Sequence, residues 1–403
     1  MKNVVVVDSV RTPIGKLGGA MIKITADHLA ANVIKELLER TKLDPSLIDE
    51  VILGQAKQSA DLSNVARISS IRSGIPLEVP SYTVHRQCGS GLQSLNNAVQ
   101  QIQTGNADII VAGGTESMST APYYVNGVRF GVYAGNIELK DSNTASQPGS
   151  QPSETYGENI TMGWTSDNVA KDYDLTREEQ DQYALQSQER AERAIENGYF
   201  EGQIVPIEIK ERRETWEFKV DEHPRKTSLE KLGKLRPVFS EDGTTTAGNA
   251  SGRNDGASAL LVMSEEKAQE LGYTQGVRVI AQAAAGVEPT TMGLGPIPAT
   301  KKALEKAGLS IEDIDVIELN EAFAAQSLAF FKEFNIPYDS EQVNPNGGAI
   351  ALGHPIGATG AILVTKVMHE LERTGKRYGL ITLCIAGGMG ISTIVENINY
   401  TQK

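Results

Sequence analysis

Cys88 is the side chain best suited to covalent chemistry. It lies in residues 84–92, VHRQCGSGL, where a strand or turn gives way to a helical pattern that continues to Gln103. A thiol at a helix N-terminus faces free backbone N–H groups, whose partial positive charge lowers its pKa and raises the thiolate fraction. The flanking Gly89 and Gly91 let a substrate approach the backbone closely. The segment predicts a cysteine nucleophile, with an inert buried cysteine as the alternative.

His354 is the candidate base for that thiol. It lies in residues 344–360, NPNGGAIALGHPIGATG, and the proline that follows it favours an extended backbone, so we expect His354 in a loop. A thiol next to an imidazole base is a nucleophile pair. His28 and His369 fall on helical patterns and are predicted to be surface or structural residues.

Two other segments end strand-like runs with polar groups. Cys384 begins CIAGGMG, and Asn320 begins NEAF. Loops at the carboxyl ends of strands are the expected place for an active site in α/β folds. A disulfide between Cys88 and Cys384 is the alternative use of the two cysteines. There is no Cys-x-x-Cys pair, so neither a zinc ribbon nor a thioredoxin-type motif is indicated.

An internal duplication would bring these segments together. Residues 43–56 and 309–322 are alike at an offset of 266, and each follows a helical pattern and enters an apolar strand. A second pair of similar segments follows in the same order. Its members are glycine-rich helix starts at 88–91 and 357–360, followed by strands at 107–112 and 378–383. Two similar halves, each of strands covered by helices, are therefore predicted, and two halves that face each other would juxtapose Cys88 and His354.

Composition limits the classes of partner. The 403 residues include 51 Asp and Glu against 38 Lys and Arg, a net charge of −13, which argues against nucleic acid or an anionic membrane surface as a bulk partner. No apolar run approaches the ~20 residues of a membrane span. The chain enters a strand-like run at once, with no signal peptide or presequence, and ends without a peroxisomal tripeptide. A cytoplasmic location is therefore expected.

The region between the halves differs from both. Residues 123–152 are rich in Gly, Ser, Asn and Gln, and residues 167–197 predict one amphipathic helix. Residues 210–236 carry nine Lys and Arg against six Asp and Glu, a net charge of +3 in an acidic chain. Such a patch predicts a docking place for an anionic ligand, with a solvated charged loop as the alternative.

Together the four segments resemble the four signature motifs of the thiolase family. Residues 113–119 and 246–252 also resemble family segments, and the resemblance runs in order over nearly the whole chain. It implies an α/β thiolase-like fold, with two duplicated halves stacked as five layers and an inserted loop domain. The implied domains are 1–120 plus 246–274, the N-terminal half that carries the nucleophile; 121–245, the loop domain for CoA; and 275–403, the C-terminal half.

The resemblance also implies residue roles in a two-step acyl transfer. Cys88 is acylated by the substrate, and His354 deprotonates Cys88 and helps to hold the thioester oxygen. Cys384 moves the proton of the acetyl-CoA α-carbon. Asn320 holds a water that completes one oxyanion site, and the backbone N–H groups of Cys88 and Ala386 form the other.

Further residues are implied for the substrate. For CoA these are Ser251 on the pantetheine, with Arg225, Leu235 and Met162 near it; for the acyl pocket they are Met292 and Phe323. Surface charge is the alternative for Arg225, and core packing is the alternative for the methionines and Phe323. Coenzyme A is expected as substrate and product, without a metal or redox cofactor. The expected partners are acyl-CoA and CoA, with neither nucleic acid nor membrane, and the expected assembly is a homodimer or a dimer of dimers.

The implied reaction is the reversible condensation of two acetyl-CoA into acetoacetyl-CoA and CoA, or the thiolysis of a 3-ketoacyl-CoA. A longer-chain thiolase of fatty-acid degradation, a decarboxylating ketoacyl synthase and a non-catalytic acyl-CoA-binding protein are the alternatives. The chain departs from the usual family pattern in several places, and a positive φ at Ala386 would impose strain. The departures are His85, Ala386, Met389, Thr161, Lys231 and a longer, more polar segment at 141–161.

Overall fold

The computed structural model describes residues 2–211 and 214–401, so Arg212 and Arg213 of the basic segment lie outside the described residues. The strands are β1 Val4–Arg11, β2 Gly15–Lys16, β3 Glu50–Gly54, β4 Ser81–Val84, β5 Ile109–Ser117, β6 Tyr123–Tyr124, β7 Lys140–Asp141, β8 Ile207–Lys210, β9 Thr215–Phe218, β10 Asn254–Ser264, β11 Val277–Gly286, β12 Val316–Leu319, β13 Tyr378–Ile385 and β14 Met389–Asn397. The α-helices are α1 Ala26–Thr41, α2 Val65–Arg72, α3 Ser90–Thr104, α4 Ser142–Ala145, α5 Ser153–Tyr156, α6 Met162–Asp172, α7 Arg177–Glu196, α8 Leu229–Gly233, α9 Glu265–Leu271, α10 Pro296–Ala307, α11 Ala324–Glu333, α12 Ala349–Leu352 and α13 Ile356–Thr374.

The main strands repeat one pattern twice. In the N-terminal half they pair in the order β1-β10-β5-β3-β4, and in the C-terminal half in the order β11-β14-β13-β12. In each half the first two pairings are antiparallel and the third is parallel. The two halves join where Val5 and Val6 of β1 pair with β11. The predicted duplication is therefore confirmed.

Alternating side chains explain why the halves stack in five layers. Successive residues of a strand point to opposite faces. Val5 and Val7 of β1 pack in a core with α1 and α2, whereas Val4 and Val6 pack in a second core with α3, α13 and strands of the other half. A third core lies between the C-terminal strands and α10 and α11. Helices α3 and α13 thus form the central layer, which confirms the predicted fold.

The segment between β5 and β10 packs on the C-terminal half through α6 and α7, which contact α11 and α12. Here the prediction of one helix over 167–197 is wrong. The chain breaks after α6 at Asp174, whose φ is 48°. It restarts where the Thr176 hydroxyl accepts the Glu179 N–H and the Glu179 carboxylate accepts the Thr176 N–H. The left-handed turn at Asp174 follows the end of one helix, and this capping box begins the next. The predicted domain boundaries stay a prediction.

None of the described helices is long and apolar enough to cross a membrane.

Candidate active site

Glycines bring the N-termini of the two central helices together. A Cβ on Gly360 of α13 would lie 2.2 Å from the Leu92 nitrogen of α3, and one on Gly91 would lie 2.9 Å from the Ala361 nitrogen. Real Cβ atoms do not approach that closely, so only glycine lets these helices touch along their first turns. The residues just before the two helices, Cys88 and His354, are therefore carried to the same place.

Cys88 lies in a tight turn that ends at α3. Gln87 takes a left-handed φ of 45°, a costly conformation for a residue other than glycine. Ser90 pins the turn, because its Oγ accepts the Arg86 N–H at 2.8 Å and donates to the Gln87 carbonyl at 2.6 Å. The turn leaves the half-buried Cys88 directly before the helix, as the sequence predicts.

The pKa of Cys88 corrects one expectation. The helix N-terminus was expected to lower the pKa of this thiol, but burial raises it above the ordinary value for cysteine. The Ala386 N–H and the positive charge of Lys57 oppose that shift without overcoming it. Desolvation disfavours the thiolate more than these partners favour it. The thiol therefore needs a nearby base to take its proton.

His354 is held in one tautomer. Its Nδ1 lies 2.7 Å from the Thr359 Oγ1, and the Thr359 hydroxyl donates to the Pro355 carbonyl at 2.9 Å. Because that hydroxyl proton is used, Nδ1–H must donate to Thr359, which leaves Nε2 with a lone pair. Burial lowers the pKa of His354 to about 4, so the ring is neutral at pH 7. The backbone N–H of His354 donates to the Asn254 Oδ1 at 2.9 Å, which holds the loop in place.

Asn320 and Cys384 stand at strand ends in the C-terminal half. The Asn320 Nδ2 lies 3.5 Å from the His354 Nε2, and its buried Oδ1 accepts no hydrogen bond from the described residues. A water in that position would satisfy it, which fits the predicted role. The Cys384 Sγ lies 3.9 Å from the Gln326 Oε1, and burial together with the nearby Cys88 raises the pKa of Cys384. Neither cysteine forms a disulfide.

The turn after Cys384 avoids the strain anticipated at Ala386. Positive φ falls on Gly387 (87°) and Gly388 (81°) and not on Ala386. The Ala386 N–H lies close enough to the Cys88 thiol to oppose the rise of its pKa, so it faces the atom that would carry an acyl group. Such an N–H is placed to stabilise an oxyanion formed on that group.

A cavity of about 180 Å³ connects these groups. Three of the four predicted catalytic side chains line it, and Asn320 lies behind the imidazole. The predicted substrate residues that line it are Ser251, Met162, Met292 and Phe323. Met292 and Phe323 also pack against Cys384 in a hydrophobic cluster, so these two residues belong to the core and line the cavity as well.

Arg225 and Leu235 are not brought to this cavity. Arg225 is exposed and its Nη2 donates to the Ala247 carbonyl at 2.8 Å, and Leu235 is 38% exposed. Both lie beside residues 246–248, which lead into Ser251. Nearby lysines pair with acids at the surface, as in Lys226–Glu192 at 2.8 Å. The CoA contacts of these residues stay a prediction.

Sequence reasoning missed several residues of the site. The buried Glu116 carboxylate accepts the N–H groups of Ala56, Lys57 and Gly357, and burial raises its pKa to about 7. Its signal is the segment 113–119, which was noted without a role. Lys57, Arg253, Phe239 and four polar residues between 143 and 150 also line the cavity. The only signal for that polar wall was the unusual length and polarity of 141–161.

No metal centre is seen in the described part of the chain, where no three His, Cys, Asp or Glu side chains are grouped to hold an ion.

The site and fold define a class: a duplicated α/β enzyme in which two thiols and a neutral histidine line one cavity. Residues 4–266 match the family model for the thiolase N-terminal domain, and residues 273–397 match the one for the thiolase C-terminal domain. The chain belongs to the thiolase family and is an acyltransferase.

Relatives agree over the full length. The acetyl-CoA acetyltransferase of Escherichia coli K12 is 48% identical over 99% of this chain and 100% of its own. The crystal structure of the Bacillus anthracis acetyl-CoA acetyltransferase superposes with a TM-score of 0.95, at 46% identity, over 98% of this chain and 99% of that chain. Human mitochondrial 3-ketoacyl-CoA thiolase in complex with CoA gives a TM-score of 0.92, at 42% identity, over 98% of both chains.

Proposed function

We propose that this thiolase cleaves and forms short-chain 3-oxoacyl-CoA, of which acetoacetyl-CoA is the smallest, through an acyl group carried on Cys88. The observation that carries the proposal is that Cys88, His354 and Cys384 open on one cavity. A C–C bond between thioesters needs a covalent carrier, a base for a weakly acidic C–H and stabilised oxyanions. Each need has a matching group here.

In thiolysis, the His354 Nε2 takes the Cys88 proton and the thiolate attacks the 3-carbonyl. The bond between C2 and C3 breaks, and its electron pair stays on C2 of the departing acetyl-CoA. Cys384 gives that carbon a proton. Cys384 then regains a proton from the thiol of free CoA, the CoA thiolate takes the acyl group from Cys88, and the released Cys88 thiolate recovers its proton from His354. Synthesis is the same sequence in reverse. The Ala386 N–H stabilises the oxyanion of the acylated Cys88, and His354 with an Asn320-held water stabilises that of the acetyl-CoA enolate.

The cavity supports a short acyl chain. Its volume of about 180 Å³ is below the roughly 300–1,000 Å³ of sites that take drug-sized ligands. Phe323 and Met292 line it, together with four polar residues between 143 and 150. A long apolar chain would have to displace these residues. CoA would reach the cavity past Ser251 from the exposed surface around Arg225.

We also propose a homodimer or a dimer of dimers in the cytoplasm. The edge strand β4 is half-buried along its whole length, so a second copy could pair with it. Phe130 and Tyr133 are 90% and 100% exposed, and a further copy would cover them. The two free cysteines suit a reducing compartment. Sedimentation of the purified protein tests the assembly, and a monomer would contradict it.

The function is tested by comparing two substrates with free CoA: acetoacetyl-CoA and a medium-chain 3-oxoacyl-CoA. We expect faster loss of acetoacetyl-CoA. Faster loss of the medium-chain substrate would assign the chain to the longer-chain thiolases of fatty-acid degradation. No turnover of either, with Cys88 reduced and open to alkylation, would favour an acyl-CoA-binding protein.

A further inference from the structure

Two cations line the wall of the catalytic cavity. Among the described residues that line it, Lys57 and Arg253 carry a positive charge, and His354 is neutral. None of these lining residues is acidic. The mechanism above uses neither. The positive charge of Lys57 acts on the Cys88 sulfur, because it opposes the rise that burial causes in the pKa of Cys88.

Lys57 is a buried ammonium without a close counter-ion. The residue is 8% exposed, and its Nζ donates to the Ser142 carbonyl at 3.4 Å and to the Ser146 hydroxyl. Within residues 2–211 and 214–401 it forms no ion pair. The carboxylates of Glu116 and Asp141 act on its charge, with Glu116 having the larger effect, but the Glu116 carboxylate already accepts three backbone N–H groups. Burial lowers the pKa of Lys57, which shows the cost of holding that charge there.

Arg253 extends the same positive wall. One guanidinium nitrogen donates to Thr144 at 3.2 Å, and another lies 3.7 Å from the Asp141 carboxylate, which is a long ion pair. Arg253 and Lys57 thus both contact residues 141–146, the beginning of the unusually polar segment. With Gln147 and Ser150 this segment supplies polar groups to the cavity lining, whereas Met292 and Phe323 supply apolar ones.

We propose that this cavity selects 3-oxoacyl-CoA substrates whose acyl chain ends in a carboxylate, which Lys57 and Arg253 bind while the thioester end reacts at Cys88. The proposal rests on the proposed function and refines its substrate class. A terminal carboxylate would supply the counter-charge that Lys57 lacks and fill its remaining donor position. A terminal methyl group would leave the ammonium buried and unpaired.

The experiment compares substrates that differ only at the chain end. Thiolysis is measured for 3-oxohexanedioyl-CoA against 3-oxohexanoyl-CoA, and for 3-oxooctanedioyl-CoA against 3-oxooctanoyl-CoA. In at least one pair, we expect the wild-type kcat/KM to favour the carboxylate by about tenfold or more, the size expected for a charged hydrogen bond. Lys57→Met and Arg253→Met should each lower that ratio by about tenfold.

Two further variants separate substrate binding from other effects. Lys35→Met removes an exposed positive charge far from the cavity and should keep the ratio. Lys301→Met removes a second exposed positive charge, which pairs with Glu333, and should keep the ratio too. If Lys57 and Arg253 only hold the segment in place, their loss will slow both members of a pair equally.

The results distinguish the two proposals. A wild-type kcat/KM that does not favour the carboxylate-ended member of either pair would overturn the carboxylate proposal, as would an unchanged ratio in both Lys57→Met and Arg253→Met. Turnover of acetoacetyl-CoA would still support the proposed function in either case. Absence of turnover with every 3-oxoacyl-CoA would instead overturn the proposed function.

Discussion

The hydroxyl of Thr359 provides the sharpest test of how His354 acts. Replacing Thr359 with valine keeps the side-chain shape and removes the oxygen that lies 2.7 Å from the His354 Nδ1. The buried Nδ1–H then has no acceptor. The ring can recover a hydrogen bond by moving its proton to Nε2 while the Asn320 amide turns over. Oδ1, which has no partner among the described residues, then replaces Nδ2 as the atom facing Nε2 and accepts that proton. In that tautomer Nε2 cannot take the Cys88 proton.

The size of the effect follows from the lost hydrogen bond. Leaving a buried donor unpaired costs about 1–3 kcal/mol. If that energy sets the balance between the two tautomers, kcat should fall by roughly 5- to 150-fold. The KM for CoA should change little, because Thr359 lies under the imidazole and outside the cavity lining. Thr359→Ser is the matched control, because it keeps the hydroxyl and should keep most of kcat.

Two assays read this effect. Steady-state thiolysis of acetoacetyl-CoA separates kcat from KM, and the alkylation rate of Cys88 by iodoacetamide at pH 7.5 reports how readily the thiol loses its proton. Both should fall in Thr359→Val and recover in Thr359→Ser. A valine variant with wild-type kcat and alkylation rate would refute the tautomer argument. An equal loss in both variants would show that packing at this position matters rather than the hydroxyl.

Three more predictions follow from the site and its packing. The Cε1–H signal of His354, assigned with His354→Asn, should not titrate between pH 5.5 and 8, because the folded pKa is about 4 and the neutral ring persists above it; an inflection near 6.5 would contradict this. Cys384→Ala should slow deuterium exchange at the acetyl-CoA α-carbon by about 10²-fold or more while Cys88 is still acylated, whereas rapid exchange in that variant would assign the proton transfer elsewhere. Gly114→Ala would place a Cβ 2.2 Å from a backbone carbonyl oxygen of α13. This variant should lower the free energy of unfolding, measured in urea, by about 1–3 kcal/mol. Gly149→Ala is the control, because its Cβ would lie in open space, and it should change that free energy by no more than about 0.5 kcal/mol.

The sequence located the reactive groups because each stands at the end of a regular element. Cys88 precedes a helix, His354 precedes a proline that excludes it from one, and Asn320 and Cys384 end or follow strands. The duplication then predicted that these ends meet, since equivalent helices of related halves pack together. The structure confirms that arrangement, and the catalytic roles stay predictions.

The features that sequence reasoning missed depend on contacts between distant segments. Lys57 has no motif, and its burial in the cavity follows only from its contacts with residues 142 and 146. The pKa of Cys88 depends on how much water the loops exclude, which local spacing does not reveal. The helix break at Asp174 had a local signal, because Thr176 and Glu179 have the spacing of a capping box, but the apolar periodicity continued across it.

The covalent step is the central claim, and it can be observed directly. Wild-type protein is mixed with acetyl-CoA without added CoA, quenched in acid and digested for mass spectrometry. The account predicts an acetyl thioester on the peptide that contains Cys88, together with released CoA. The Cys88→Ser variant should carry no acetyl thioester on that peptide. Turnover of acetoacetyl-CoA without any acyl group on Cys88, or with the acyl group on Cys384 instead, would contradict it.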